Sequence, residues 1–141
     1  MQNSTLSQSA ENASRIRVYL VEDSAQVRTQ IEEGLSTICG VSVEAFAETE
    51  NDALHSLMLT DYDVIIFDIQ LLQGNSVNLL KSLTLAHKQT HAVKIVFSNR
   101  TGETWRRICK SYGARYFFDK SFEFPQLHAA VQRVVNEAAG R

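Results

Sequence analysis

From Ile16 onward, short apolar segments alternate with longer segments that mix apolar and polar positions. The short segments are rich in Val, Ile, Phe and Tyr, and they predict β-strands over residues 16–21, 41–46, 64–67, 93–97 and 115–118. The segment at 41–46 alternates apolar and polar residues, as an edge strand does, whereas 64–67 is apolar throughout and predicts a central strand.

The segments between the strands repeat apolar residues at helical spacing. The first predicted helix has Ser24 as its N-cap, ends at Gly40, and carries an apolar face at Val27, Ile31, Leu35 and Ile38. Further helices are predicted over residues 49–59, 77–85 and 103–112, and a fifth begins near Pro125 with an apolar face extending to Val135.

Five strand–helix units in succession predict an α/β fold: a doubly wound parallel five-stranded sheet with right-handed crossovers and helices on both faces. We assign residues 15–141 to this one domain. Residues 1–14 are rich in Ser, Gln, Asn and Thr without apolar periodicity, and they predict a disordered N-terminal tail.

Composition narrows the class of protein. The 141 residues, 44% hydrophobic and 21% charged, suit one globular domain, and the net charge of -2 does not favour nucleic-acid binding. No apolar run approaches the ~20 residues of a membrane helix and no signal peptide is recognisable, so we expect a cytoplasmic protein. Cys39 and Cys109 lack metal-ligand spacing and are expected to be core or half-buried thiols.

Residues whose side chains can react with or bind a phosphoryl group lie at the ends of four predicted strands. Glu22 and Asp23 follow the first strand, Asp68 the third and Ser98 the fourth, and Lys120 comes shortly after the fifth. In a parallel α/β sheet the C-terminal strand ends lie at one edge, where ligands bind. We therefore expect these side chains to converge, although up to 98 residues (120 minus 22) separate them.

The chemistry of this set favours phosphoryl transfer. Three crowded carboxylates need a cation or a bound proton, and their oxygens suit Mg²⁺. Asp68 follows a fully apolar strand and can act as a nucleophile on phosphorus. Ser98 can donate a hydrogen bond to a phosphoryl oxygen, and Lys120 can pair with another. Taken alone, the acid pair also suits the start of the following helix, Ser98 is a common strand-end residue, and Lys120 a common solvated lysine.

The order and spacing of the motifs point further than each motif alone. The chain resembles the receiver domain of two-component response regulators over residues 15–137. The resemblance rests on segments 19–23, 64–69, 95–98, 113–114 and 117–120. It also rests on the spacings between Asp68, Ser98 and Lys120, which are 30 (98 minus 68) and 22 (120 minus 98) residues. The resemblance implies the flavodoxin-like strand order 2-1-3-4-5 and Mg²⁺ as a cofactor. It also implies that Asp68 accepts a phosphoryl group from a histidine kinase or histidine phosphotransfer protein.

The resemblance implies a role for each residue of the site. The metal ligands would be Glu22, Asp23, Asp68 and the backbone carbonyl of Gln70. The phosphate-sensing residues would be Ser98 and Lys120, and the switch aromatic would be Phe117, which rotates inward when Ser98 is drawn to the phosphate. Asn99 and Arg100 would flank the site.

On this interpretation the chain is a stand-alone receiver, a signalling switch that is no enzyme beyond its own phosphorylation and slow dephosphorylation. The family's readout face is formed by the last two helices and the last strand, here residues 103–112, 127–135 and 115–118, and would bind a downstream protein target. This readout face includes Trp105, Arg106, Arg107 and His128. We expect no direct contact with nucleic acid or membrane, and a monomer or weak homodimer.

Three residues depart from the family pattern. Leu72 stands where the family often has Pro, and Asn99 is larger than the usual small residue, so that it could narrow access to the phosphate. Ser121 stands where the family usually has a Pro after a cis peptide bond. A cis bond costs roughly 3–4 kcal/mol before a non-proline residue, against about 0.5–1 kcal/mol before Pro. We therefore predict a trans Lys120–Ser121 bond, or a strained one.

Other functions stay open. A pseudo-receiver would keep the fold and bind partners without phosphorylation, an alternative that Asn99 and Ser121 keep alive. A small-molecule phosphatase would use an aspartyl-phosphate intermediate, but the haloacid dehalogenase type has a second Asp two residues later, where this chain has Gln70. A flavodoxin-like cofactor binder shares the fold, but no phosphate loop rich in Ser, Thr and Gly follows the first strand.

Overall fold

The computed structural model describes residues 15–140, in which strands and helices alternate along the chain. The strands are β1 (Ile16–Val21), β2 (Val41–Ala47), β3 (Val64–Phe67), β4 (Val93–Ser98) and β5 (Ala114–Asp119). The helices are α1 (Ala25–Leu35), α2 (Glu50–Leu59), α3 (Ser76–Leu85), α4 (Glu103–Ser111) and α5 (Phe124–Ala139). The tail predicted over residues 1–14, and Arg141, lie outside the described residues.

All five strands are parallel and form one sheet in the order β2-β1-β3-β4-β5. The doubly wound α/β fold and the strand order 2-1-3-4-5 are thereby confirmed. β2 lies at one edge, as its alternating pattern predicts, and β3 lies at the centre with all four of its residues buried. The register places Phe67 beside both Val21 and Val96, so that these strands end next to one another.

The sheet has a hydrophobic core on each face, because successive strand residues point to opposite sides. On one face Tyr19 and Phe67 pack with residues of α2, α3 and α4. On the other face Leu20, Ile66 and Phe97 pack with residues of α1 and α5. Strands that are apolar along nearly their whole length need helices packed on both faces of the sheet, as they are here. Among residues 15–140, no helix is both long and apolar enough to cross a membrane.

The first helix is shorter than its apolar pattern predicts. α1 ends at Leu35, and Ile38 is buried in the turn that follows. In this turn the N–H of Ile38 donates to the carbonyl of Leu35 (3.0 Å), and the N–H of Val41 donates to that of Ile38 (3.3 Å). Gly40 then leads into β2 with a φ of 87°. Ile38 therefore packs into the core although it lies in a turn and not in a helix.

The two thiols differ in their surroundings. Cys109 is the buried residue of α4, and burial raises its pKa to about 11, so that it stays an unreactive thiol. Cys39 is exposed in the turn after α1, so the expectation of a core or half-buried thiol is wrong for this residue. The reason is the early end of α1, which turns residue 39 outward while Ile38 fills the core.

Gly34 allows α1 and α5 to approach closely, because a Cβ atom at this position would overlap the ring of Phe124. Helix propensity alone favours Gly34→Ala by about 1 kcal/mol. Overpacking costs about 1–3 kcal/mol. We expect Gly34→Ala to lower the free energy of unfolding, measured by urea denaturation, by about 1 kcal/mol.

A Phe124→Ala background provides the control for this substitution. With the ring removed, Gly34→Ala should be neutral or stabilising, since only the helix propensity remains. Equal destabilisation in both backgrounds would contradict the explanation by close approach.

Candidate functional site

Three carboxylates meet at the C-terminal edge of the sheet, as the strand pattern predicts. One oxygen each of Glu22, Asp23 and Asp68 lies within 4.8 Å of the others. Glu22 is 3% exposed and Asp68 is 8% exposed, so both are largely removed from water. Carboxylates so close together are unfavourable unless a cation or a proton compensates their charge.

Backbone hydrogen bonds hold these residues as continuations of the sheet. The N–H of Asp68 donates to the carbonyl of Val21 (2.8 Å), and the N–H of Glu22 donates to the carbonyl of Ala47 (3.0 Å). The backbone of both residues is therefore held in place by the neighbouring strands.

The ammonium of Lys120 joins two of the carboxylates. Its Nζ lies 2.8 Å from Oε1 of Glu22 and 2.8 Å from Oδ2 of Asp68. The backbone N–H of Lys120 donates to the carbonyl of Ser98 (3.0 Å), which anchors the lysine to the end of β4. Three carboxylates against one ammonium leave an excess of two negative charges when all four groups are ionised. The site therefore suits a divalent cation bound through oxygen atoms.

Burial and the ion pairs shift two pKa values in this cluster. Burial raises the pKa of Glu22, because the loss of water outweighs the lowering effect of Lys120. Burial also disfavours the charged form of Lys120, but hydrogen bonds and charges of Asp68 and Glu22 outweigh it and raise the pKa of the ammonium. Lys120 therefore stays charged at neutral pH, and Glu22 holds a proton more readily than an exposed glutamate does.

Glu22 also serves the beginning of α1. Its Oε2 accepts a hydrogen bond from the N–H of Ser24 (3.1 Å), the N-cap residue whose own side chain accepts from Val27. Nη1 of Arg28, a residue that carries no signal in the sequence, donates to the backbone carbonyl of Glu22 (2.8 Å). The contact with the helix start and the ion pair with Lys120 thus occur in the same side chain.

Ser98 ends β4 beside this cluster and is 1% exposed. Its Oγ accepts a hydrogen bond from the N–H of Arg100 (3.1 Å). The guanidinium of Arg100 reaches Gln70, whose Oε1 accepts from both Nε (3.2 Å) and Nη2 (2.8 Å). Gln70 and Arg100, which the family resemblance places at the site, therefore connect the loop after β3 to the loop after β4.

Phe117 is half-buried in β5 and packs against the core that α4 covers. The guanidinium of Arg106 lies 4.6 Å from the centre of its ring, and Nη1 donates to the Phe117 carbonyl (3.2 Å). Trp105, the neighbouring residue on α4, is also half-buried, and the guanidinium of Arg100 lies 5.9 Å from the centre of its indole. Arg100 thus contacts both Gln70 in the loop after β3 and Trp105 on α4.

The three departures from the expected pattern all lie at exposed positions. Leu72 is 68% exposed in the loop after β3. The Lys120–Ser121 bond is trans, as predicted, and residues 15–140 contain no cis peptide bond. Asn99 does not stand alone: its side-chain carbonyl accepts a hydrogen bond from the Ser121 hydroxyl (3.1 Å).

Ser76 supports Asp68 although nothing in the sequence marks it. It is fully buried at the start of α3, and its hydroxyl donates to the backbone carbonyl of Asp68. Its N–H donates to the carbonyl of Ile69 (2.9 Å). The two partners of the hydroxyl bond are eight residues apart across a loop, and neither helical nor strand periodicity brings such residues together.

The fold and the acidic cluster at its C-terminal edge define the class of protein. The sequence model of the response regulator receiver domain matches residues 18–132, and the chain belongs to this family. Receiver domains are signalling switches of two-component systems; they interact with histidine kinases and downstream targets, and bind Mg²⁺ at an acidic pocket. A comparison with curated protein sequences finds no significant match.

Solved structures with this fold include three receiver domains of low sequence identity. The CheY-like receiver domain protein from Methanospirillum hungatei is 18% identical, with a TM-score of 0.76 over 89% of this chain and 98% of the other. The response regulator domain of Thermotoga maritima CheB is 24% identical, with a TM-score of 0.72 over 90% of this chain and 98% of the other. The signal receiver domain of the putative response regulator NarL from Mycobacterium tuberculosis is 19% identical, with a TM-score of 0.75 over 90% of this chain and 98% of the other. At these identities the likeness is one of fold.

Lys120→Met removes the ammonium but keeps much of the side-chain volume. Glu22 and Asp68 then lie buried without their cation, and we expect the free energy of unfolding at pH 8 to fall by about 3 kcal/mol. The fall should be smaller at pH 5, because a carboxyl whose pKa is raised by folding stabilises the fold at low pH and loses that effect as the pH rises. Urea denaturation at the two pH values measures both effects.

Lys81→Met is the matched control, since Lys81 is exposed on α3. It should leave the free energy of unfolding nearly unchanged at both pH values. An equal loss at pH 5 and pH 8 for Lys120→Met would contradict the role of Glu22 as the group that takes up the proton.

Proposed function

We propose that this chain is a phosphoryl acceptor of a two-component system and that Asp68 is the residue phosphorylated. The observation that carries the proposal is the placement of Asp68, a nearly buried carboxylate at the end of the central strand, with one oxygen held 2.8 Å from the Lys120 ammonium. The donor would be a phosphohistidine of a histidine kinase or of a histidine phosphotransfer protein.

In the proposed reaction, a carboxylate oxygen of Asp68 forms a bond to phosphorus. The bond between phosphorus and the donor imidazole nitrogen breaks, and its electron pair stays with the nitrogen, which takes up a proton from solvent. Oδ2 is engaged by Lys120, which leaves Oδ1 as the attacking oxygen. The transfer depends mainly on positioning and charge neutralisation, and Lys120 contributes to both.

The acidic cluster fits Mg²⁺, because its donors are carboxylate oxygens close together with excess negative charge. Glu22, Asp23 and Asp68 would hold the ion, with the backbone carbonyl of Gln70 as a further ligand. When bound, Mg²⁺ neutralises charge on the phosphoryl oxygens.

The switch would use residues that already lie around the cluster. Ser98 and Lys120 would bind the phosphoryl oxygens, and Phe117 would rotate inward when Ser98 moves. Arg106 contacts both the ring and the carbonyl of Phe117, so a movement of this aromatic changes the surface of α4. The face formed by α4, β5 and α5 would then bind a downstream protein.

Turnover as a small-molecule phosphatase is disfavoured by Gln70. The residue two positions after Asp68 is an amide whose oxygen is occupied by Arg100, and it offers no acid or base. A pseudo-receiver differs from the proposal in a measurable way, because it takes up no phosphoryl group.

Intact mass after incubation with acetyl phosphate and Mg²⁺ tests the proposal. We expect the wild type to gain the mass of one phosphoryl group, since acetyl phosphate replaces phosphohistidine as the donor and acetate leaves. Asp68→Ala should gain none, and EDTA should prevent the gain in the wild type. Asp61→Ala, at an exposed aspartate on the opposite edge of the sheet, should behave as the wild type. A wild type of native fold that gains no mass would favour the pseudo-receiver.

The fluorescence of Trp105, the single tryptophan of the chain, tests the switch. We expect its emission to change when the wild type is phosphorylated, because Arg100 connects it to the loops of the site. Ser98→Ala should still gain the phosphoryl mass but lose most of the emission change, since the sensing hydroxyl is missing. Ser36→Ala, at the exposed serine that caps the C-terminus of α1, is the control. A full emission change in Ser98→Ala would exclude Ser98 as the sensing residue.

A further inference from the structure

Asn99 and Ser121 directly follow the two proposed sensing residues, Ser98 and Lys120. Both are exposed, and the Ser121 hydroxyl donates a hydrogen bond to the Asn99 side-chain carbonyl (3.1 Å). We propose that this hydrogen bond is a tether that fixes Ser98 relative to Lys120. Its effect on phosphorylation rests on the proposed function, whereas the tether itself concerns the position of two loops.

The tether continues the pairing of β4 with β5. Backbone pairing extends to Ser98 opposite Asp119, and one further bond runs from the N–H of Lys120 to the carbonyl of Ser98 (3.0 Å). The Asn99–Ser121 bond is the next link outward and is made by side chains where the backbone pairing stops. Without the tether, the hydrogen bond from the Lys120 N–H to Ser98 is the last one between the two segments, and the last bond of such a series opens most easily.

Each end of the tether lies on a turn that is held by its own hydrogen bonds. The N–H of Ser121 donates to Oδ1 of Asp119 (2.8 Å), and the N–H of Asp119 donates to Oε1 of Glu123 (2.8 Å). On the other side, the N–H of Arg100 donates to Oγ of Ser98 (3.1 Å). Because both turns are held internally, a bond between them constrains the whole turns and not only two side chains.

A proline at position 121 would lose both bonds of Ser121, whereas only the bond to Asn99 needs the serine hydroxyl. A proline has neither the N–H that reaches Asp119 nor the hydroxyl that reaches Asn99. The two residues of this edge that depart from the expected pattern therefore contact each other. Together they supply a polar link between the sensing loops, and either residue without the other loses it.

Hydrogen exchange of the Lys120 amide, followed by NMR, tests the tether without any phosphorylation. One neutral hydrogen bond is sufficient for Ser121→Ala and Asn99→Ala each to accelerate this exchange about threefold to tenfold. The double variant should exchange no faster than the single variants, because both substitutions remove the same bond. Ser121→Thr keeps the hydroxyl and should match the wild type. Ser111→Ala, at an exposed serine that ends α4, is the control.

The rate constant of phosphorylation by acetyl phosphate tests the consequence for the reaction. Both alanine variants should slow it by a similar factor of about two to ten, the double variant by no more, and Ser121→Thr should restore it. Unchanged Lys120 exchange in both alanine variants, or additive effects in the double variant, would overturn the tether. Faster exchange with unchanged phosphorylation would overturn its effect on the reaction. Faster exchange in a chain whose wild type takes no phosphoryl group would overturn the proposed function and leave the tether standing.

Discussion

The Lys120 ammonium between Glu22 and Asp68 is the contact on which the site depends. Two carboxylates that are 3% and 8% exposed repel each other when no cation lies nearby. The carboxylates follow β1 and β3, and the ammonium follows β5, so only the assembled sheet brings Nζ to 2.8 Å from both. The geometry of the site is therefore a property of the whole sheet and not of any one loop.

The same charges explain why the site is suited to a switch. Lys120 compensates one of three carboxylates, and a phosphoryl group would add about -1.5 to -2 of charge. Without a divalent cation, that charge would enter an already negative site. With a divalent cation bound, the phosphoryl oxygens of the proposed reaction would be strong, charged acceptors near Ser98 and Lys120, which would give both residues a physical reason to respond.

Much of this arrangement could be predicted because it follows from local patterns and one rule of topology. Apolar strands ending in Glu22, Asp68 and Ser98, combined with the rule that parallel strands end at one edge, were sufficient to predict that these residues converge. The contact of Ser76 with Asp68 and the exposure of Cys39 could not be predicted, because they depend on the path of loops and turns. The roles of the site residues stay predictions, since they concern chemistry that geometry alone does not test.

Two of the contacts that the sequence did not indicate tie the loops of the site to one another. Gln70 is joined to Arg100, and Asn99 to Ser121, each through exposed side chains. Exposed hydrogen bonds contribute about 1 kcal/mol each, far less than the burial that holds the sheet. The sheet therefore fixes where the carboxylates and Lys120 lie, while weak links set how the loops around them are held. On the proposed function, a phosphoryl group on Asp68 would break such links and rearrange the loops without unfolding any strand, which is the property that a reversible switch requires.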